Sequence, residues 1–411
     1  MRAKRTVFYY LCVLSVLAFA FFTNDFNLVN IQKTAIVTAI AIDREEEEFT
    51  LTAMIANPAS QGGSDNGQGS ADQGADGFAT VGGKGGTVAE ALENINAKTG
   101  WYPKLVFCDL ILIGADAAKE NVFDALDYFL RDEYLTDNCY VATCAEKAQS
   151  LLNTAALVDP SSSVAMTKVL SDHAARVGTV APSTLREFAI GYYGDAKSGF
   201  LPVIKLEDQQ ETPDPSLPST QGGGQSGGQD AQQGGQSEQQ KNKPVFSAQE
   251  TALFVNGKQV ETLTAEETFA YNAVKNSLQL APYTVEKAEN SCTLSIRQNS
   301  PKIKLQVGRD GKANLEIKVT LTAGILDYSK ALPVEKTADG GDVPVGVFTA
   351  AEKKLSGEIS SVFEKARACG CDIFGVQDLL VKKENRKLHR FKNTLLANTT
   401  PTVKIRFQGV R

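Results

Sequence analysis

Histidine is nearly absent from this sequence, accounting for two of 411 residues. Neither His173 nor His389 belongs to a motif in which a histidine activates a nucleophile or binds a metal, and the zinc-peptidase pattern H-E-x-x-H does not occur. No pair of carboxylates stands out, although loops that contain Asp and Glu do not by themselves exclude a glycosidase. We therefore predict that the chain is not an enzyme, and we name no catalytic, cofactor-binding or metal-binding residue.

Cysteine is also scarce, with seven residues, of which Cys12 lies in an apolar stretch. The other six are too few to form the disulfide framework of a chain this long, so at most one or two bridges are expected and the spacing assigns no pairing. They are Cys108, Cys139, Cys144, Cys292, Cys369 and Cys371. The spacing of the last two is too short for a zinc knuckle, so we predict that they pack against the end of a helix.

The chain has no excess of positive charge. Its 42 Lys and Arg residues stand against 48 Asp and Glu, and this net charge of −6 argues against nucleic-acid binding. Two local runs of charge remain. The acidic run Glu45 to Glu48 is predicted to be a solvated turn rather than a cation site. The basic run Lys382 to Lys392 either lies on a solvated face or meets anionic lipid headgroups.

Only one long stretch, Thr6 to Asn24, lacks charged residues, and Arg2, Lys4 and Arg5 precede it. As a helix it would be about 28 Å long, close to the ~30 Å hydrocarbon core of a bilayer. The preceding basic residues favour a cytoplasmic N-terminus, which would place the rest of the chain outside. We predict an uncleaved transmembrane anchor, or signal-anchor.

Two alternatives to an anchor remain for this stretch. A cleaved secretory signal would use the small residues Ala18 and Ala20, but large aromatic residues crowd that site. A lipoprotein signal would need a cysteine at the end of the apolar run, whereas Cys12 lies early in it.

The segment after the anchor alternates strands with helices. Residues Ile36 to Ile42 and Phe49 to Ile55 predict an antiparallel hairpin, and further strands and helices follow to Leu206. They predict a mixed α/β domain over residues 30–206. Residues Ser60 to Gly86 include ten glycines in 27 positions and are predicted to be a disordered loop. Thr87 follows and is predicted to cap a helix in a capping box with Glu90.

A Pro-, Gly- and Gln-rich segment, Glu207 to Val245, is predicted to be a linker between independently folded parts. Residues 246–411 then predict one or more C-terminal α/β domains. Asn256-Gly257 is a strong hairpin signal, and Thr264 begins a capping box with Glu267. Several strands and the amphipathic helix Ala351 to Ala368 predict a sheet packed on one long helix. The predicted fold class is therefore α+β or mixed α/β: an N-terminal transmembrane helix, then two or three mixed α/β domains with antiparallel-rich sheets.

Four stretches resemble the Ger(x)C proteins, the C subunits of nutrient germinant receptors of endospore-forming bacteria. The first is Ala39 to Asp43, similar to a strand that ends in Gly-Ile-Asp, with Ala41 in place of Gly. The second combines a helix, a strand and an Arg-Asp segment, in Gly86 to Leu92, Leu105 to Gly114 and Phe129 to Asp132. The third is the hairpin Ala252 to Leu263, and the fourth is Asp372-Ile373-Phe374-Gly375, where Gln377 replaces a second Gly.

The resemblance implies a non-enzymatic subunit that assembles with A- and B-type membrane subunits at the spore inner membrane, with most of the chain on the outer face. It also implies several mixed α/β domains and carries over no ligand-binding residue. The sequence departs from the family in two ways: family members are typically lipoproteins, and this chain has long Gly/Gln inserts. Two rival functions are an anchored cell-wall enzyme, which needs converging carboxylates or a Cys–His pair, and a solute-binding receptor, which needs a deep cleft between two lobes.

Overall fold

The computed structural model of the chain describes residues 9–17, 34–56, 77–207, 245–275, 278–287, 290–328, 334–336, 342–344, 346–391 and 394–409. Residues 9–17 form helix α1, whose side chains are exposed. The predicted anchor Thr6 to Asn24 continues outside the described residues on both sides of α1. Within the described ranges, no helix has both the length and the apolar character that a membrane crossing requires.

A nine-stranded mixed sheet forms the first part of the fold. Its strands are β1 (Thr34–Glu45), β2 (Glu48–Ala56), β3 (Phe78–Gly85), β4 (Tyr102–Lys104), β5 (Leu110–Ile113), β6 (Tyr140–Cys144), β7 (Ser198–Glu207), β8 (Val245–Val255) and β9 (Lys258–Leu263). The connecting helices are α2 (Val88–Thr99), α3 (Ala115–Lys119), α4 (Phe123–Arg131), α5 (Ala148–Asn153), α6 (Ser162–Val169), α7 (Asp172–Val177) and α8 (Leu185–Tyr193).

The strand order is β3-β2-β1-β5-β6-β7-β8-β9, with β4 also paired to β1. Strands β1, β5, β6 and β7 are parallel, and antiparallel strands flank them on both sides. Ile40 and Ile42 of β1 belong to one buried cluster, and Ala39 and Ala41 belong to another on the opposite face. Because both faces of β1 are buried, its sequence is a continuous apolar run. The predicted hairpin of β1 and β2 is confirmed.

Strand β3 corrects the prediction of a disordered loop over Ser60 to Gly86. Residues 57–76 lie outside the described residues, but Phe78–Gly85 pair with β2 along its whole length. The glycines allow helix α2 to pack directly on the strand. A Cβ atom at Gly83 would lie 2.1 Å from the carbonyl oxygen of Ala91, and one at Gly85 would lie 2.7 Å from the nitrogen of that residue. The high glycine content here therefore reflects close packing as well as low complexity.

The strand expected within Leu105 to Gly114 begins only at Leu110 in the structure, and residues 105–109 form a turn that follows β4. Strand β4 pairs with the first residues of β1, the chain then makes a turn, and β5 pairs with β1 further along. The turn is closed by the amide of Cys108, which donates to the carbonyl of Leu105 at 2.9 Å. The amide of Asp109 donates to Thr38 at 3.1 Å and returns the chain to the sheet.

The predicted linker Glu207 to Val245 connects two neighbouring strands of the same sheet. Strands β7 and β8 are antiparallel, and Glu207 pairs directly with Val245. Residues 208–244 lie outside the described residues. Strands β8 and β9 thus complete the sheet begun before the linker, although the sequence assigns them to the C-terminal part. The division into independently folded parts stays a prediction, and this pairing argues for a boundary after β9.

Shortening this connection is expected to change stability little. Because Glu207 and Val245 are already paired, residues 208–244 only close a loop, and loop closure changes by ~0.6 kcal/mol per doubling of length. Thermal unfolding of the full chain without residues 221–240 should therefore occur within a few degrees of the parent. A control without Val245–Ser247, which removes part of β8, should unfold much earlier. Loss of folding in the first variant would show that the connection packs on the body.

A four-stranded sheet with the order β10-β11-β12-β15 forms the second part. Its strands are β10 (Ala281–Lys287), β11 (Asn290–Val307), β12 (Ala313–Tyr328) and β15 (Thr399–Gly409). β13 (Val334–Lys336) pairs with β14 (Asp342–Pro344). The helices are α9 (Ala265–Lys275), α10 (Val347–Ala368) and α11 (Val376–Phe391). Strands β12 and β15 are parallel and the other pairs of this sheet are antiparallel. Both large sheets therefore have mixed orientation, and antiparallel pairs are in the majority in this one, as predicted.

Helix α10 buries one side against this sheet, as its apolar spacing predicts. The register of β11 with β12 brings their apolar faces together, with Ile303 paired to Ile317 and Leu305 to Leu315. The core of this sheet also includes Leu253 and Leu263 of the β8–β9 hairpin. The two sheets are therefore joined by a shared apolar core.

Candidate functional site

The described residues contain no group of three or more His, Cys, Asp and Glu side chains that could hold a metal ion. His173 is exposed on α7. His389 lies in α11, where its side chain is outside the description. In the acidic run at the β1–β2 turn, Glu45 forms ion pairs with Lys147 at 2.6 Å and Lys84 at 2.9 Å. All four residues of the run, Glu45 to Glu48, are exposed, as a solvated turn requires. The hydrogen bond from Lys147, followed by the one from Lys84, lowers the pKa of Glu45 to about 2.

A crevice of about 500 Å³ lies at the carboxyl ends of β5 and β6, where open α/β sheets commonly bind ligands. Its two carboxylates are both paired. Glu250 contacts Lys205 at 2.6 Å, and Glu261 contacts Lys365 at 4.0 Å. In the part of the chain that the structure describes, this crevice presents no converging pair of free carboxylates of the kind a glycosidase needs.

The cysteines lie mainly in the core, and the predicted packing of the last two is confirmed. Cys369 donates to the carbonyl of Ala366 at the end of α10, and Cys371 donates to the carbonyl of Phe254 at 3.4 Å. The thiols of Cys108 and Cys139 donate to the carbonyls of Leu110 and Tyr140. The neighbouring Cys108 thiol together with burial raises the pKa of Cys139 above its usual range. Burial raises the pKa of Cys144 to about 12.

Because thiolates rather than thiols react, Cys144 is expected to resist alkylation at pH 8 in the folded protein. Peptide mapping after iodoacetamide treatment should find Cys144 unlabelled and Cys369, which is half-buried, labelled. Denaturant should make both equally reactive. Rapid labelling of Cys144 in the folded chain would contradict its burial.

Asp43 is the last residue of Ala39 to Asp43, the first of the four stretches that carry the resemblance. This carboxylate is buried just past the last residue of β1 that pairs with β5, and it accepts hydrogen bonds from the amides of Ala148 at 2.8 Å and Gln149 at 2.9 Å. Those amides form the first turn of α5, whose free N–H groups and positive end favour a carboxylate. Gly114 lies against it, since a Cβ atom there would be 2.0 Å from Asp43 Oδ1. Burial raises the pKa of Asp43, while the two amides act in the opposite direction.

Asp372, which begins the fourth stretch, repeats this arrangement in the second part of the fold. Its carboxylate is buried and accepts from the amides of Val376 at 2.7 Å and Gln377 at 2.8 Å, in the first turn of α11. Its own amide donates to Ser198 Oγ at 2.9 Å, at the start of β7. Burial raises its pKa above the usual range. Gly375 supplies the positive φ of 71° that this turn needs.

The other stretches of the resemblance also have structural roles. Asp132 accepts from the amides of Tyr134 and Leu135 at 2.8 and 3.0 Å and ends helix α4. Asn256 and Gly257 both have positive φ, which confirms the predicted hairpin turn. These contacts fix helix ends and turns, and none aims a reactive group into a cavity.

Both halves of the chain match known protein families. Residues 27–206 match the family described as "Spore germination protein N-terminal domain". Residues 249–408 match the one described as "Spore germination B3/GerAC like, C-terminal". The chain belongs to the Ger(x)C family of spore germination proteins.

Two known proteins are similar to this Ger(x)C protein over most of its length. It is 23% identical over 380 residues to "Spore germination protein KC" of Bacillus subtilis (strain 168), covering 88% of this chain and 84% of that protein. Its fold is similar to the "Crystal Structure of the GerBC protein", with a TM-score of 0.53 and 17% identity over 91% of this chain and 97% of the other. The mixed α+β architecture thus matches the fold of the GerBC protein.

The Ger(x)C stretches are recognisable in the sequence, but the roles of their residues are not. Nothing in the sequence near Asp43 points to residues 148–149, which lie more than a hundred positions away. The capping boxes were easier to find. Thr264 and Glu267 form the predicted box. At Thr87, the Glu90 side chain accepts instead from the amide of Gly86, one residue earlier than predicted.

Proposed function

We propose that this Ger(x)C protein is a membrane-anchored, extracytoplasmic subunit of a spore nutrient germinant receptor. It acts by assembling with A- and B-type membrane subunits to trigger germination, and not by catalysis. The observation that carries the proposal is the family match across both halves of the chain. It is supported by the residues of the resemblance, which are used for helix caps and turns rather than for a reactive site.

The anchor in this proposal is the uncharged stretch Thr6 to Asn24. It would hold the body at the outer face of the spore inner membrane. Confinement to one membrane raises the effective concentration of any membrane partner, so that a modest interface is sufficient for assembly.

Deletion of the gene should test this function directly. Spores without the protein are expected to lose their response to specific nutrients and to germinate normally by routes that need no nutrient receptor. A gene encoding the whole chain should restore the response. Unchanged nutrient germination, in a strain with no sister receptor to compensate, would overturn the proposal.

Assembly is tested by affinity capture of the tagged chain from detergent-solubilised spore membranes. The A- and B-type subunits should be recovered with it. The rival enzyme hypothesis predicts instead that the purified chain degrades peptidoglycan, and such turnover would refute a purely binding function.

The anchor is tested by mass spectrometry of the membrane-extracted protein. We expect an intact N-terminal region with Cys12 unmodified. An N-terminus near Phe21 would indicate a cleaved signal, and a diacylglyceryl group on Cys12 would indicate a lipoprotein.

A further inference from the structure

Four large apolar side chains are exposed near one end of the first sheet. Trp101 is 40% exposed, Val106 44%, Phe107 57% and Tyr134 50%. Single exposed apolar residues are common on protein surfaces, but several on adjoining segments indicate a contact surface. We call these four side chains the amino-end patch.

The amino-end patch lies where the parallel strands begin. Trp101 directly precedes β4. Strand β4 is parallel to β1 and pairs with it from Thr34, the first residue of β1. Val106 and Phe107 lie in the turn that leads into β5. Tyr134 lies in the connection that leads into β6, and the Nζ atom of Lys104 lies 3.7 Å from the centre of its ring. The patch therefore follows the amino ends of β1, β5 and β6.

The chain enters the body at this same end. Thr34 begins β1, and only nine residues separate it from the last residue of the predicted anchor, Asn24. Even fully extended, a chain of this length spans only about 30–35 Å at ~3.3–3.6 Å per residue. An anchor ending at Asn24 would thus hold the first residue of β1 within about 35 Å of the bilayer, which leaves the amino ends of the strands within reach of the membrane surface.

The chemistry of the patch suits the membrane surface. Tryptophan and tyrosine are enriched where bilayers meet water, because their rings are apolar and their N–H or O–H groups are polar. Lys104 stacks on Tyr134, so its charge lies next to the apolar group, as in side chains that extend towards headgroups. The acidic residues Asp132 and Glu133 adjoin Tyr134, so attraction to anionic lipid is not what this surface provides.

We propose that the amino-end patch inserts into the headgroup region of the membrane and holds the body upright on it. This inference rests on the proposed anchor and adds a second point of membrane contact. It assigns to Trp101, Phe107 and Tyr134 a role in orienting the body towards its membrane partners.

Trp101 is the only tryptophan in the chain, so its fluorescence reports on the patch directly. The full chain is reconstituted into phosphatidylcholine vesicles containing lipids brominated at different depths. Trp101 emission should lose about half its intensity with bromine near the headgroups, and it should resist aqueous iodide. Anionic lipid should change this little.

Two variants sharpen the test. Phe107→Ser should leave the fold intact, because the side chain is exposed, and should shift Trp101 emission to the red and expose it to iodide. The matched control Leu326→Ser removes an equally exposed side chain from β12 and should change neither signal.

The outcomes separate the two proposals. If the chain stays with the vesicles after alkaline washing while iodide quenches Trp101 and brominated lipid does not, the patch proposal is wrong and the anchor stands. If alkaline washing releases the chain, the anchor fails. If Trp101 becomes shielded only when the A- and B-type subunits are added, the patch binds protein and the lipid proposal is overturned.

Discussion

Replacing Asp372 by alanine is expected to lower the free energy of unfolding by about 2–4 kcal/mol. The carboxylate accepts two amide hydrogen bonds from the first turn of α11, and its neighbours connect that turn to β7 and β8. Without it, the buried amide of Val376 and the part-buried amide of Gln377 would lose their acceptor. Thermal unfolding of the purified chain should show a midpoint about 5–15 °C lower.

Asp378→Ala is the matched control for this change. Asp378 lies in the same first turn of α11 but is exposed, so its removal should cost less than about 0.5–1 kcal/mol through the helix dipole alone. The unfolding midpoint of Asp372→Asn should lie between those of the two alanine variants. The asparagine side chain keeps one acceptor oxygen, but its NH2 group would face a backbone N–H, which is also a donor. Equal midpoints for Asp372→Ala and Asp378→Ala would show that the buried carboxylate does not support the fold.

Adding one methyl group at Gly114 is expected to be as damaging, at about 2–4 kcal/mol. Backbone strain is not the cause, since Gly114 has φ −66° and ψ 158°, which alanine adopts readily. The cause is contact: the new Cβ would lie 2.0 Å from Asp43 Oδ1 and 3.3 Å from the amide nitrogen of Ala148. Either β5 or the start of α5 must move, and the cap of α5 is lost.

Gly357→Ala is the matched control, because it adds the same methyl group at a position where the structure has space for it. A Cβ at this position of α10 meets no heavy atom within 4 Å, and alanine favours helix over glycine by about 0.5–1 kcal/mol. Denaturant titration should therefore show opposite signs, with Gly114→Ala destabilised and Gly357→Ala slightly stabilised. A Gly114→Ala chain of parent stability would mean that Asp43 moves freely, contrary to its two amide contacts.

Local patterns were the reliable part of the sequence analysis. The β1–β2 hairpin, the Asn256-Gly257 turn and the long helix α10 were predictable because each depends on residues close together in the chain. Strand β3 was missed because its glycine content is typical of a loop. The glycines are needed because helix α2 packs closely on this strand, and that contact is not visible in the sequence. Strand β10 was also missed, although its buried residues Ala281, Tyr283 and Val285 alternate along the chain as in a half-buried strand.

The roles of Asp43 and Asp372 could not be predicted for a related reason. Their partners lie on helices that other parts of the fold position, and an acidic residue after an apolar stretch has many possible functions. The resemblance indicated that these residues matter, and the structure shows that they cap α5 and α11. The absence of any predicted site residue remains a prediction, tested by the search for peptidoglycan turnover above.

The pairing of β7 with β8 also sets an order of events while the chain is being made. When β7 leaves the ribosome, its partner strand lies beyond residues 208–244 and has not yet been synthesised. At about 5–20 residues/s, β8 follows some seconds later. During that interval β7 is an open sheet edge with free backbone donors and acceptors, the kind of surface that pairs with other chains. The length of the insert thus fixes how long each nascent molecule is exposed to mispairing, and shorter inserts should raise the yield of folded protein most when synthesis is slow.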